Sequence, residues 1–166
     1  MRLEFIPYNP NDSEHSTFLY KLMKECAPTL RDDRARDPIL IVQEFSRRAN
    51  VFLIEYNGQL SGYLGALIDV YDNAYIEAAA TGKARRFFPA RESLRMFCRY
   101  LFADLKVNKI FAQIPTFNKP AETVARAIGF RKEGISKNEL RYNGRPTSIL
   151  NLALLPEYLK DKPNGK

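Results

Sequence analysis

Residues 118–134 read NKPAETVARAIGFRKEG, and the punctuation within this stretch decides how the surrounding chain is organised. Asn118 and Pro120 predict a helix start. An Asn side chain can accept orphan N–H groups, and a proline at the first helical positions gives up only a bond that a helix start lacks anyway. Small and apolar residues then run to Ile128. Gly129 stands where a helix ends on a left-handed residue, which glycine adopts at no steric cost. Phe130 can fold back over the last turn before a charged strand opens at Arg131.

Upstream, Lys109–Ile114 reads as a strand, and before it the period changes. Leu94, Phe97, Cys98, Leu101, Phe102 and Leu105 recur at the spacing of one helical face, which assigns Arg91, Glu92, Arg95 and Arg99 to the opposite face. This helix begins near Pro89. With the strand of Tyr75–Ala80 before it, the segment forms a strand-helix-strand crossover, and such a crossover implies a parallel pair. Downstream, RKEGISKNELRY and RPTSILNLALL flank Asn143-Gly144, a strong hairpin signal. Toward the N-terminus, LEFIPY alternates as a strand, Asp12 or Ser13 caps a helix carrying Phe18, Leu19, Leu22 and Met23, and Asp37-Pro38 opens a second helix. VFLIEYNGQLSGYLGALIDV is two strands around Asn57-Gly58, with NAYIEAAA as the third strand of a meander.

A chain of 166 residues can bury a core without a disulfide or metal staple. Its two cysteines, Cys26 and Cys98, form no CxxC or Cys/His cluster, so neither a zinc site nor a disulfide framework is expected, and the default setting is a reduced cytoplasm. No run approaches the ~18 apolar residues of a membrane span. The formal charge of +7 suits an anionic ligand or acidic partner. The basic knots at Arg31, Arg34, Arg36 and at Lys83, Arg85, Arg86 lack interleaved aromatics or a binding motif, so nucleic acid is not the expected partner. His15, the single histidine, has no Cys or Ser partner evident by sequence and reads as a surface residue.

The order of elements closely resembles the GNAT superfamily of acyl-CoA-dependent N-acetyltransferases over nearly the whole chain. NKPAETVARAIGFRKEG resembles that family's Asn-x-x-Ala, Gly-Phe, Glu-Gly segment, particularly in the branch that acetylates ribosomal-protein N-termini and antibiotics. The resemblance implies an α/β (α+β) fold: a mixed, mostly antiparallel sheet with one splayed parallel pair, flanked by about four helices. Residues 1–159 would form one domain and residues 160–166 a flexible tail. It further implies acetyl-CoA as substrate, its pantetheine arm against the strand that contains Ala79 and its pyrophosphate at the helix start, served by Lys83, Arg85, Arg86 and Ala90. Asn118 matches the family's CoA-side asparagine. Glu77 stands in the element that supplies the general base, Tyr71 and Asp69 border the acceptor, and no metal is implied.

The sequence departs from the family pattern at three points. Phe88 replaces a glycine of the phosphate loop, Pro89 removes a donor there, and Ala125 stands where a tyrosine often protonates the leaving thiolate. A register through Gly82-Lys83-Ala84 keeps the glycine and loses the arginine. Two readings therefore stay open. One is transfer of an acetyl group to a primary amine of a small molecule or protein. The other is a non-catalytic accessory or structural protein on the same scaffold, a type that also occurs in bacteriophage genomes. A homodimer or larger assembly is compatible with either.

Overall fold

A computed structural model describes residues 2–30, 37–48, 50–82 and 90–160. The chain runs β1 (Leu3–Pro7), α1 (Ser13–Leu30), α2 (Pro38–Phe45), β2 (Asn50–Tyr56), β3 (Gln59–Ile68), β4 (Asn73–Ala80), α3 (Ala90–Ala103), β5 (Lys109–Pro115), α4 (Lys119–Ile128), β6 (Arg131–Tyr142) and β7 (Arg145–Leu154), then a 3₁₀ turn at Pro156–Tyr158. The strands form one sheet in the order β1-β2-β3-β4-β5-β7-β6. β1, β2 and β3 pair antiparallel, as do β5 and β7, while β4 and β5 are the parallel pair that the crossover requires.

Local chemistry accounts for the element boundaries. The Asp12 carboxylate accepts from the Glu14 and His15 amides, and the Asp37 carboxylate from Ile39, so both helices start on their aspartate caps. Asn57 and Gly58 have φ of 50° and 79°, and Asn143 and Gly144 have 49° and 75°, the doubly left-handed backbone of tight hairpin turns. The Asn118 side chain accepts from the Ala121 amide, and Gly129 ends α4 with φ 119°. Phe130 is buried behind it, as expected, and its amide bonds the Ala125 carbonyl.

Contacts divide the chain into two compact units. The first comprises Met1–Leu67, Glu77–Phe88 and Leu140–Pro146; the second comprises Ile68–Ile76, Pro89–Glu139 and Thr147–Lys166. In the first, Leu19, Leu22, Met23 and Cys26 of α1 join Ile41 and Phe45 of α2, Val51 and Leu53 of β2 and Tyr63 of β3 in one buried cluster. In the second, the β5/β7 register places Ile110 opposite Leu154, Ala112 opposite Leu152 and Ile114 opposite Leu150, all buried, so one face of this strand pair is apolar throughout. The alternate residues Phe111, Gln113 and Asn151 belong to the other face.

Two sequence expectations fail. Arg95, assigned to the polar side of its helix, is 2 % exposed, whereas Leu94 and Phe102 are only half-buried. Its long side chain lies along the helix with Nη1 2.5 Å from the Glu92 carboxylate, so an arginine can flank the core by covering it with its methylenes. His15, expected at the surface, is only partly exposed. Its side chain is 14 % exposed, its Nδ1 accepts from the Asn9 amide at 3.1 Å, and its ring stacks on Tyr8.

Candidate functional site

The parallel ladder between β4 and β5 covers three positions only: Asn73 with Lys109, Ala74 with Ile110, and Tyr75 with Phe111. Both strands continue, to Ala80 and Pro115. The far end of β4 is drawn tightly against β3. A Cβ built on Gly62 would stand 2.5 Å from the Ala79 carbonyl oxygen, so only glycine allows this approach, and Thr81 donates its amide to the Ser61 carbonyl just beyond it. Ala79 itself is partly buried and packs on the first unit's core.

Glu77 lies in this stretch, its side chain 36 % exposed, with Oε2 3.1 Å from Arg48 Nη1. The same guanidinium pairs through Nη2 with Glu44 one helical turn earlier and lies over the Phe45 ring, 5.2 Å from its centroid. Glu44 and Phe45 thus hold Arg48, and Arg48 pairs with one oxygen of Glu77. The Glu77 carboxylate is oriented by Arg48 and stays partly open to solvent.

The residues expected to hold a CoA-type ligand divide in two. Asn118 serves as the cap of α4, its Oδ1 3.3 Å from the Ala121 amide, which leaves its Nδ2 as a donor for a ligand carbonyl. Ala90 is the first residue of α3, where backbone N–H groups are unsatisfied within the helix. Lys83, Arg85 and Arg86, together with Phe88 and Pro89, lie outside the described residues. At the edge of that segment, the Gly82 amide donates to the Glu25 carboxylate at 2.7 Å. Ala125 is a buried methyl with no group that could donate a proton. Burial pushes the Cys98 thiol far up, which removes it as a nucleophile.

Asp69 shapes the turn before β4. Its carboxylate accepts from the amides of Tyr71 and Asn73 at 2.8 and 2.9 Å, and these bonds, that from Asn73 foremost, hold its pKa below the ordinary value. Tyr71 projects from that turn 75 % exposed. Sequence reasoning missed a cavity of about 310 Å³ in the second unit, lined by Tyr75, Phe111, Gln113, Glu133 and Asn151. The available signal was strand alternation, which puts Phe111 and Gln113 on one face. Among the described residues, no group of three or more His, Cys, Asp or Glu could hold a metal, and no helix is long and apolar enough to cross a membrane.

The family model of the acetyltransferase (GNAT) domain matches residues 39–148, and the chain belongs to that family. Solved structures carry the likeness across the rest of the chain. A spermidine N-acetyltransferase SpeG chimera from Vibrio cholerae and hSSAT is similar at 20 % identity and TM-score 0.81, with 97 % of this chain and 100 % of that one covered. Spermidine N-acetyltransferase from Vibrio cholerae, in complex with CoA and spermine, is similar at 17 % identity and 0.79, covering 94 % and 96 %. Mycobacterium smegmatis RimJ in complex with CoA-disulfide is similar at 18 % and 0.78, covering 96 % and 85 %. At these identities the likeness is one of fold. No curated protein matches the sequence.

Proposed function

We propose that this GNAT acetyltransferase-fold protein is an enzyme that moves the acetyl group of acetyl-CoA to a primary amine, with Glu77 as general base. The observation that carries the reading is the clamp on Glu77: Arg48 holds Oε2 at 3.1 Å and is itself held by Glu44 and Phe45. The amine nitrogen attacks the thioester carbonyl, its surplus proton passes to Glu77 directly or through one water, and the C–S bond breaks. The thiolate then takes a proton from solvent, because Ala125 offers none. An acetamide and CoA thiol are the products.

Acetyl-CoA is the substrate that this chain's residues fit. Its pantetheine amides would pair with β4 beyond Tyr75, where the parallel ladder has ended, beside Ala79; Asn118 Nδ2 would take a carbonyl; and the pyrophosphate would meet Ala90 at the start of α3 with Lys83, Arg85 and Arg86. A primary-amine acceptor agrees with the spermidine acetyltransferases among the similar structures, one of them holding CoA and spermine. We place the reaction in the cytoplasm, where the two buried thiols of Cys26 and Cys98 stay reduced.

Ala125, buried at 2 %, and the departures at Phe88 and Pro89 favour a second reading, an accessory or structural protein without turnover. Isothermal titration with acetyl-CoA at moderate salt separates the two. Micromolar binding is expected from the enzyme, and no heat at millimolar ligand would leave the scaffold reading in its place.

A further inference from the structure

Arg48 stands between two carboxylates that belong to different elements. Its Nη2 pairs with Glu44 of α2, and its Nη1 lies 3.1 Å from Oε2 of Glu77 on β4. The chain holds it there by following α2 with one tighter turn. The Arg47 and Arg48 amides bond the Glu44 and Phe45 carbonyls at 3.1 and 3.0 Å, which keeps the Arg48 side chain above both of those residues. With its guanidinium over the Phe45 ring and its side chain only 14 % exposed, Arg48 is shielded from water on most sides.

The way its fork is divided has a chemical consequence. A guanidinium can grip one carboxylate through two parallel N–H bonds, and such a grip favours the ionised form, which makes the carboxylate a poor proton acceptor. Here Glu44 takes one arm, and Arg48 reaches Glu77 through Oε2 only. Glu77 is therefore oriented by a cation whose field is shared with a second anion. Around this stretch of β4, Glu25 of α1 meets the chain five residues on, at the Gly82 amide, and Lys83, Arg85 and Arg86, next in sequence, lie outside the described residues.

We propose that Glu44 is a positioning residue of the reaction: by taking one arm of Arg48, it lets the arginine orient Glu77 without binding its carboxylate too tightly to take a proton. The inference rests on the reading of Glu77 as general base for its catalytic consequence, while the charge sharing it describes stands without turnover.

The test records kcat/KM against pH for acetyl-CoA with spermidine or Ala-Ala-Ala-amide, whichever the parent turns over, and Glu77→Gln identifies the acid limb by abolishing it. Glu44→Gln is isosteric at a side chain 45 % exposed and should fold like the parent. It gives the whole fork to Glu77, so kcat should fall about 3–30-fold and the acid limb move to lower pH by about 0.3–1 unit. Arg48→Met removes the cation and the orientation together, so kcat should fall similarly while the limb moves to higher pH. The acetyl-CoA KM should stay within about twofold in both, since neither variant removes uniform binding. A role in packing alone would not displace the limb in opposite directions. Should Arg48→Met melt far below the parent, Arg48→Lys replaces it: the limb should stay near the parental one while kcat falls, because an ammonium lacks the fork that spans two carboxylates. Any other pattern of limb and kcat overturns the proposal. A parent without turnover, or an acid limb that survives in Glu77→Gln, counts against the general-base reading alone. The NMR titration of the Glu77 side-chain carboxyl carbon in the same variants then decides: the displacements just given uphold the charge sharing, and any others reject it.

Discussion

The carbonyl oxygen of Tyr158 stands 1.9 Å from the point that a Cβ on Gly129 would occupy. The glycine that ends α4 therefore does two things. It supplies φ 119°, and it leaves room for the 3₁₀ turn after β7; two residues beyond that turn, the Lys160 amide donates to the Ile128 carbonyl at 3.0 Å. Gly144, also at positive φ, has nothing within 4 Å of its missing Cβ. Both Gly129→Ala and Gly144→Ala should show the conformational cost, of order 1–3 kcal/mol at most. Only Gly129→Ala must also displace Tyr158, so its melting temperature should fall further, by several degrees beyond the Gly144 variant. Equal losses in thermal melts would show that the collision is relieved at no cost.

Arg95 and Glu92 give an asymmetric prediction. Arg95 Nε is buried without a partner among the described residues, so the arginine carries an unrecovered desolvation cost of about 1–3 kcal/mol. Arg95→Met removes it and keeps the methylene packing, and should leave stability within about 1 kcal/mol of the parent. Glu92→Gln instead strands a buried guanidinium. It should cost about 2–3 kcal/mol, less than for a fully buried pair because the Glu92 side chain is 26 % exposed. Denaturant unfolding of the two variants checks the order, and an Arg95→Met loss equal to or larger than that of Glu92→Gln would contradict it.

Acid should destabilise the protein through three carboxylates. Backbone bonds from His15 and Glu14 lower the pKa of Asp12, the Asn73 amide does so first for Asp69, and Lys119 with Arg126 for Glu122. Each folded-state pKa lies below its unfolded value. The stabilisation is therefore complete above the ordinary values of 3.8 for aspartate and 4.5 for glutamate and is lost as pH falls through the folded values. Melting temperature should hold nearly level from pH 7 to about 4.5 and drop below that. In Asp69→Ala the deficit against the parent should shrink as the pH falls, and a deficit constant down to pH 3 would remove Asp69 from the acid response.

Much of the fold is legible in the sequence because its turns are written in residues with one physical use. Asn57-Gly58 and Asn143-Gly144 supply paired positive φ, Asp37-Pro38 supplies a cap and a preset φ, and Gly129 ends a helix, so the elements between them follow from period alone. The candidate site is less legible, because its parts meet only through tertiary register. Arg48 and Glu77 are 29 positions apart, and Gln113 and Asn151 are 38 apart, facing each other only once β5 and β7 pair. Arg95 misleads for another reason. A helical wheel sorts residues by charge, whereas burial follows the path of the side chain, and a long aliphatic stem can lie on the core with its charge paired back along the helix.

The most direct measurement is the steady-state release of CoA thiol from acetyl-CoA in the presence of primary amines, for the parent and for Glu77→Gln. The parent should turn over, and Glu77→Gln should lower kcat about 10²–10⁴-fold at neutral pH, the usual contribution of a positioned base, while its acetyl-CoA Kd stays near the parental one. Higher pH should recover part of the loss as the acceptor amine deprotonates unaided. A parent that releases no CoA thiol with any amine, or a Glu77→Gln variant that matches it at every pH, would contradict the assignment.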